Sequence, residues 1–80
     1  MKFEEGDIAI PISTHGTKDV NGDLFVGVQR NGNLRMVDKV NGDKIQLDGD
    51  RTIWFYAKDF LTPEEAMLEN ETRKIKKEIG

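Results

Sequence analysis

The chain contains no cysteine and a single histidine, so several kinds of chemistry lack their usual residues. No disulfide can form, and no thiol can act as a nucleophile or as a metal ligand. Zinc sites are built from clusters of Cys, His or carboxylate ligands, which this composition does not favour. We therefore expect no metal site and no other cofactor.

Long apolar runs are also missing, and the opening Met1-Lys2-Phe3-Glu4-Glu5 turns acidic at once. A membrane span needs about 18 or more apolar residues, and a signal peptide opens with basic and then apolar residues. These patterns predict a cytoplasmic protein with no membrane partner.

The chain has 80 residues, of which 34% are charged and 36% are apolar. A chain of this length forms one domain, because two cores would each be too small to offset chain entropy. The formal charge is −3, from 15 acidic and 12 basic residues. This overall acidity argues against broad affinity for nucleic acid.

Two unlike parts are evident, with residues 1–61 rich in glycine, asparagine and β-branched residues and residues 62–80 rich in Glu, Lys and Arg. The first part is interrupted by Asn21-Gly22, Asn31-Gly32, Asn41-Gly42 and Asp48-Gly49. Such pairs supply the positive φ angles of type I′ turns. Their regular spacing predicts an antiparallel meander or a small barrel.

Five strands are predicted, at Asp7–Pro11, Leu24–Arg30, Leu34–Val40, Lys44–Asp48 and Arg51–Tyr56. Alternation places Ile8, Ile10 and Ile12 on one face of the first, and Leu24, Val26 and Val28 on one face of the second. In the third, alternation slips at Val37, which indicates a bulge or bend. Ile45 and Leu47 are expected inward in the fourth, and Ile53 and Phe55 inward in the fifth. Residues 13–23 read as a long, exposed polar loop.

The second part predicts a helix from Pro63 to about Glu78. Thr62 is a good N-cap, proline suits the first helical position, and Glu65 completes a capping box. Leu68, Ile75 and Ile79 follow helical spacing and form a narrow apolar stripe. This stripe predicts either a monomer or a weak homodimer formed through the helix.

The segment Phe3–Ile10 resembles the opening strand of SH3-like small β-barrels, including the KOW type, and Val37–Leu47 resembles their central hairpin. Trp54–Pro63 is similar to their last strand, single 3₁₀ turn and short closing strand. The resemblance covers about 60 of the 80 residues and implies a five-stranded SH3-like barrel at residues 1–61, followed by a C-terminal α-helix, 62–80, of the same domain. It names a fold with many unrelated functions.

Catalytic residues are hard to find. Ser13 and His15 stand two apart in the polar loop, but nothing marks Asp19 or Asp23 as the partner that would orient the histidine. Asp19 to Asp23 also resembles the start of a calcium loop, yet the glycine and glutamate that such a loop needs later are absent. We expect a solvated His15, no metal, and no enzymatic activity.

A protein-binding surface is predicted from aromatic residues. If Phe55 points inward, Trp54 and Tyr56 project outward, joined by Phe25 from a neighbouring strand, and exposed Trp and Tyr are favoured interface anchors. The alternative is that the C-terminal helix covers Trp54 and Tyr56 with Met67, Leu68 or Ile75, or that Trp54 belongs to the core.

A second candidate surface is basic. It consists of residues near the C-terminus that would contact phosphates, namely Arg73, Lys74, Lys76 and Lys77. The same residues also complement the negative end of the helix dipole.

The function predicted from these patterns is that of a non-enzymatic protein-binding module, with a nucleic-acid-binding small barrel as the alternative. Small, cysteine-free, charge-rich barrels with a helical appendage resemble accessory proteins of bacteriophages and prophages, and this resemblance implies a host protein as the partner.

Overall fold

The computed structural model describes residues 2–32, 34–49 and 52–69. In this part of the chain the strands are β1 (Ile8–Pro11), β2 (Thr17–Lys18), β3 (Leu24–Phe25), β4 (Arg35–Asn41), β5 (Lys44–Leu47), β6 (Phe55–Tyr56) and β7 (Phe60–Leu61). A 3₁₀ turn spans Ala57–Asp59, and helix α1 occupies residues 63–69.

The main sheet is antiparallel and five-stranded, in the order β6-β5-β4-β1-β7, while β2 and β3 form a separate hairpin. A mainly β architecture followed by a C-terminal helix is therefore confirmed. The described strand pairs leave β6 and β7 at the two ends of the sheet and do not close it. The SH3-like barrel stays a prediction.

Strand β4 is irregular at the place that the sequence pattern indicates. Its register with β5 shifts between Val37, which pairs with Leu47, and Lys39, which pairs with Gln46. A bulge bends the strand and increases its twist. Met36, ahead of the bulge, pairs with Ile8 of β1, whereas the residues beyond it pair only with β5. The predicted bulge is confirmed.

The core is built around aromatic rings. The Phe55 ring is fully buried and meets Phe25 and Phe60 edge-on, with ring centroids 5.5 Å and 5.8 Å apart. Such edge-to-face pairs add about 0.5–1.5 kcal/mol beyond the area they bury. The buried apolar residues are Phe3, Ala9, Val28, Val37, Ile45, Leu47, Phe55, Ala57 and Phe60.

The isoleucines of β1 share a face, as alternation predicts, but that face is the outer one. Ala9 and Pro11 are buried, whereas Ile8 and Ile12 are exposed. The core beneath β1 already holds three buried phenylalanine rings, which leave space for a small residue such as alanine. Pro11 sits at the strand end, where its missing N–H costs no ladder hydrogen bond.

Two further predictions for the first half of the chain are wrong. Residues 13–23 are not an exposed loop, because Thr17 and Asp19 are buried and Thr17–Lys18 form β2. The predicted strand Leu24–Arg30 ends at Phe25. There the Val28 N–H donates to the Phe25 carbonyl oxygen at 3.1 Å, which turns the chain and separates buried Val28 from exposed Leu24.

In the later strands, the side chains that were predicted to point inward do so. Ile45, Leu47 and Phe55 are buried, and Ile53 packs against the core, although the fifth strand is shorter than predicted and begins at Phe55.

The β4–β5 turn is not type I′, since that turn needs two positive φ angles. Gly42 has φ 62°, and no described non-glycine residue has a positive φ.

Helix α1 begins with the predicted capping box. The Glu65 N–H donates to Thr62 Oγ1 at 3.1 Å, and the Thr62 N–H donates to Glu65 Oε1 at 3.0 Å. The backbone hydrogen bond from Thr62, together with the Lys2 ammonium, lowers the pKa of the Glu65 carboxyl. Residues after Glu69, including most of the predicted apolar stripe, lie outside the described residues.

Candidate functional site

A groove of about 510 Å³ lies between the β2–β3 hairpin, the segment after β1 and the 3₁₀ turn. Ile12 and Leu24 form its apolar walls and remain 46% and 55% exposed. Lys18 and Asp59 add charges of opposite sign. We call this surface the Ile12–Leu24 groove, and its lining residues are Ile12, Ser13, His15, Gly16, Thr17, Lys18, Leu24 and Asp59.

Gly16 lets the hairpin fold tightly beside the groove. Its φ is +119°, a conformation that L side chains rarely adopt, and a Cβ there would lie 3.0 Å from the Phe25 carbonyl oxygen. It would also lie 3.1 Å from the Val26 Cα atom. Because both neighbours are backbone atoms, only glycine fits without moving the hairpin.

Buried polar groups fix the hairpin from within. Thr17 Oγ1 donates to the Val28 carbonyl oxygen at 2.7 Å, and Asp19 Oδ1 accepts the N–H groups of Asn21 and Asp23, both at 2.9 Å. Asp19 therefore caps a turn with its carboxylate.

The base of the hairpin is attached to the main sheet. The Val20 N–H donates to the Trp54 carbonyl oxygen at 2.9 Å, and Asp19 forms an isolated antiparallel bridge with Phe55. The hairpin thus continues the hydrogen bonding of the β6 edge. A groove wall held in this way is preformed, which lowers the conformational cost of binding.

Ser13, His15 and Asp59 line the same groove, and Asp59 reaches it from the distant 3₁₀ turn. His15 is exposed, as predicted. Ser13 Oγ accepts the backbone N–H of His15 at 3.1 Å, which is a local turn contact. A nucleophilic serine needs its hydroxyl on the imidazole ring instead, so we derive no catalytic step from this group. The absence of enzymatic activity stays a prediction.

The predicted aromatic anchors divide between two environments. Phe25 is half-buried and packs its ring on Phe55 at the core. Trp54 and Tyr56 flank Phe55 and so lie on the opposite, outer side of the sheet, where both are half-buried. Alternation about Phe55 thus puts Trp54 and Tyr56 on the side opposite to Phe55, whereas the Phe25 ring packs on Phe55 itself.

The alternative in which the helix covers Trp54 and Tyr56 finds no support in the described part of α1. Met67 and Leu68 are 64% and 63% exposed. Instead, Glu65 of the helix forms an ion pair with Lys2, and Glu69 forms one with Arg30. Ile75 and Ile79 lie outside the described residues, as do the predicted phosphate contacts Arg73, Lys74, Lys76 and Lys77.

Within residues 2–32, 34–49 and 52–69, no three His, Asp or Glu side chains are arranged to hold a metal ion. No described helix has the length and apolar character to cross a membrane. Comparisons with protein-family models, with curated proteins and with solved structures found no significant match. Function must therefore be derived from the geometry of this chain.

Proposed function

We propose that this protein is a non-enzymatic protein-binding module that holds an extended segment of a partner protein in the Ile12–Leu24 groove. The observation that carries this proposal is the exposed pair Ile12 and Leu24, which face a concave surface with braced walls. Apolar clefts with a few polar groups are the usual form of a binding site.

The expected contribution of the apolar walls follows from their exposure. Burying a whole Leu or Ile side chain is worth about 1.5–3 kcal/mol. Ile12 and Leu24 are about half exposed, so each contributes about 1 kcal/mol when a partner covers it. Lys18 and Asp59 add hydrogen bonds that fix the direction of the bound segment. These amounts suit a modest, reversible affinity.

We also propose that the sheet belongs to an SH3-like barrel. The strand order β7-β1-β4-β5-β6, the bulged β4 and the 3₁₀ turn between β6 and β7 support this assignment. The resemblance to phage accessory proteins makes a host protein the proposed partner. Relative to the anchors predicted from sequence, the proposed contact moves from Trp54 and Tyr56 to Ile12 and Leu24.

The test is selection of binding peptides from a random displayed library, using the wild-type protein as bait. Selected peptides are then measured against Leu24→Ser and against the matched control Val26→Ser. Val26 is 68% exposed and lies outside the groove lining, so it controls for general loss of surface apolar area. Leu24→Ser is expected to weaken binding by about fivefold, which corresponds to about 1 kcal/mol.

Each result has a defined meaning. Enrichment of peptides that lose affinity with Leu24→Ser but not with Val26→Ser supports the proposal. No enrichment, or peptides that bind both variants like the wild type, contradicts it. Thermal melting of the two variants verifies that both are folded.

A further inference from the structure

The side of β4, β5 and β6 that faces away from the Phe55 core carries lysines and aromatic rings around Gln46, whose own side chain is buried. Paired residues in an antiparallel sheet point to the same side. The register pairs Asn41 with Lys44, Lys44 with Tyr56, and Lys39 with Gln46. Alternation then brings Trp54 to the same side as Tyr56. We call this surface, formed by Lys39, Lys44, Trp54, Tyr56 and the adjacent Lys58, the lysine–aromatic face.

The face is cationic although the whole chain has a net charge of −3. Lys39 and Lys58 are exposed, and among the described residues neither has a carboxylate within ion-pair distance. Lys44 has Asp43 at 3.6 Å, and the Asp43 side chain is itself 76% exposed. Exposed pairs of this kind are weak, so the ammonium group is free to exchange partners.

The two aromatic rings come from residues on either side of Phe55, with Trp54 just before β6 and Tyr56 within it. Trp54 and Tyr56 are two residues apart, which places their side chains about 7 Å from each other. Both are half-buried, so each is anchored on one side and accessible on another. Lys58 Nζ lies over one face of the Tyr56 ring, 5.5 Å from its centroid, which leaves the other face for a base.

We infer that the lysine–aromatic face binds single-stranded nucleic acid. Phosphates are held by Lys39, Lys44 and Lys58, and successive bases stack on Trp54 and Tyr56. Surfaces that bind single strands combine positive side chains along the backbone with aromatic platforms for the bases. No residue of this face lines the Ile12–Leu24 groove, so this activity is separate from the proposed protein binding.

The carboxylates of an acidic peptide would pair with the lysines, but such a peptide has no planar bases to stack on the two rings. Duplex nucleic acid keeps its bases stacked on each other and could use only the charges. The placement of rings between cations therefore favours a single strand over both. Its affinity is expected to be modest, because the net negative charge of the chain opposes binding at long range.

The expected salt dependence follows from the number of lysines. Each phosphate contact of a single strand contributes about −0.7 to the slope of log affinity against log salt. Contacts from Lys39, Lys44 and Lys58 give a slope of about −2, so affinity falls about 20-fold between about 50 and 200 mM salt.

The experiment uses the full chain and a fluorescently labelled single-stranded oligothymidylate, with anisotropy as the readout across a salt series. The double variant Lys39→Gln/Lys44→Gln tests the charges. Lys18→Gln is the control, because Lys18 carries the same charge but lies in the Ile12–Leu24 groove. Trp54→Ala and Trp54→Phe test stacking, and melting temperatures accompany every variant.

Binding with a slope of about −2, reduced to about −0.7 in the double lysine variant and unchanged in Lys18→Gln, supports the inference. A loss of about fivefold or more in Trp54→Ala, with recovery in Trp54→Phe, supports stacking. If Trp54→Ala is unfolded, the salt slopes of the lysine variants still test the inference. The inference is overturned if the oligothymidylate does not bind at low salt. It is equally overturned if poly-glutamate of matched charge or duplex DNA binds as tightly.

Discussion

Replacement of Gly16 by alanine is expected to loosen the β2–β3 hairpin and to damage the Ile12–Leu24 groove. The residue has φ +119°, and holding a non-glycine residue in such a region costs about 1–3 kcal/mol. The new Cβ would also press on the Phe25 carbonyl oxygen at 3.0 Å and on the Val26 Cα atom at 3.1 Å. Overpacking against atoms that cannot rotate away adds about 1 kcal/mol or more.

The combined cost is about 2–4 kcal/mol, which is a large part of the total stability of about 4–12 kcal/mol expected for 80 residues. At about 4–8 °C per kcal/mol, Gly16→Ala should lower the melting temperature by roughly 8–32 °C. Circular dichroism measures this shift, and the groove-binding peptides measure the loss of affinity.

Gly22→Ala is the matched control. Gly22 also has a positive φ, +87°, but a Cβ there would meet nothing within 4 Å. Its cost should be the conformational term alone, about 1–2 kcal/mol. The difference between the two variants therefore isolates the close approach of the hairpin backbone to residue 16. Equal melting temperatures for Gly16→Ala and Gly22→Ala would refute this packing and the preformed groove.

Other substitutions test the core, the hairpin and the helix start. Phe55→Ala removes a fully buried ring and should cost about 3–5 kcal/mol, measured by urea unfolding; a loss below about 1 kcal/mol would contradict its central position. Asp19→Ala removes the acceptor of two backbone N–H groups and should cost about 1.5–3 kcal/mol, whereas exposed Asp23→Ala should change stability by less than about 0.5 kcal/mol. Glu65 has a lowered pKa in the folded state, so its ionised form stabilises the fold above the unfolded-state pKa, and this stabilisation disappears as the pH falls through the folded-state pKa. Melting curves of Glu65→Gln and wild type should differ at neutral pH and converge in acid, and a difference that persisted in acid would contradict this assignment.

Local patterns in the sequence predicted the parts of the fold that depend on local interactions. The capping box at Thr62 and Glu65 uses residues three apart, and the bulge at Val37 shows as a slip in alternation. Ile45 and Leu47 are buried as their alternation in the sequence predicts, although Gln46 between them is buried as well. In each case neighbouring residues alone determine the conformation.

The wrong predictions depended on packing between distant segments. Leu24, Val26 and Val28 were expected on one strand face, but of the three only Val28 is buried, and Thr17, 11 residues earlier in the chain, donates a hydrogen bond to its carbonyl oxygen. Alternation placed the isoleucines of β1 on one face without saying which, and that this face is the outer one depends on core residues contributed by other segments.

The candidate site was missed for the same reason. Ile12 and Leu24 were assigned to strand faces, and Asp59 reaches the groove only through the 3₁₀ turn. The signal that could have pointed to it was Gly16, a glycine outside the Asn-Gly and Asp-Gly pairs, in a segment otherwise read as a polar loop. The lysine–aromatic face needed the strand register, because Lys39, Lys44 and Tyr56 come from three strands.

Mapping the backbone amide shifts in an NMR titration with a library-selected peptide tests protein binding through the groove most directly. The largest changes should fall on residues 12–18, on Leu24 and on Asp59, which line or adjoin the groove. Changes confined to Trp54, Tyr56 and their strand neighbours, with the groove amides unmoved, would contradict this account.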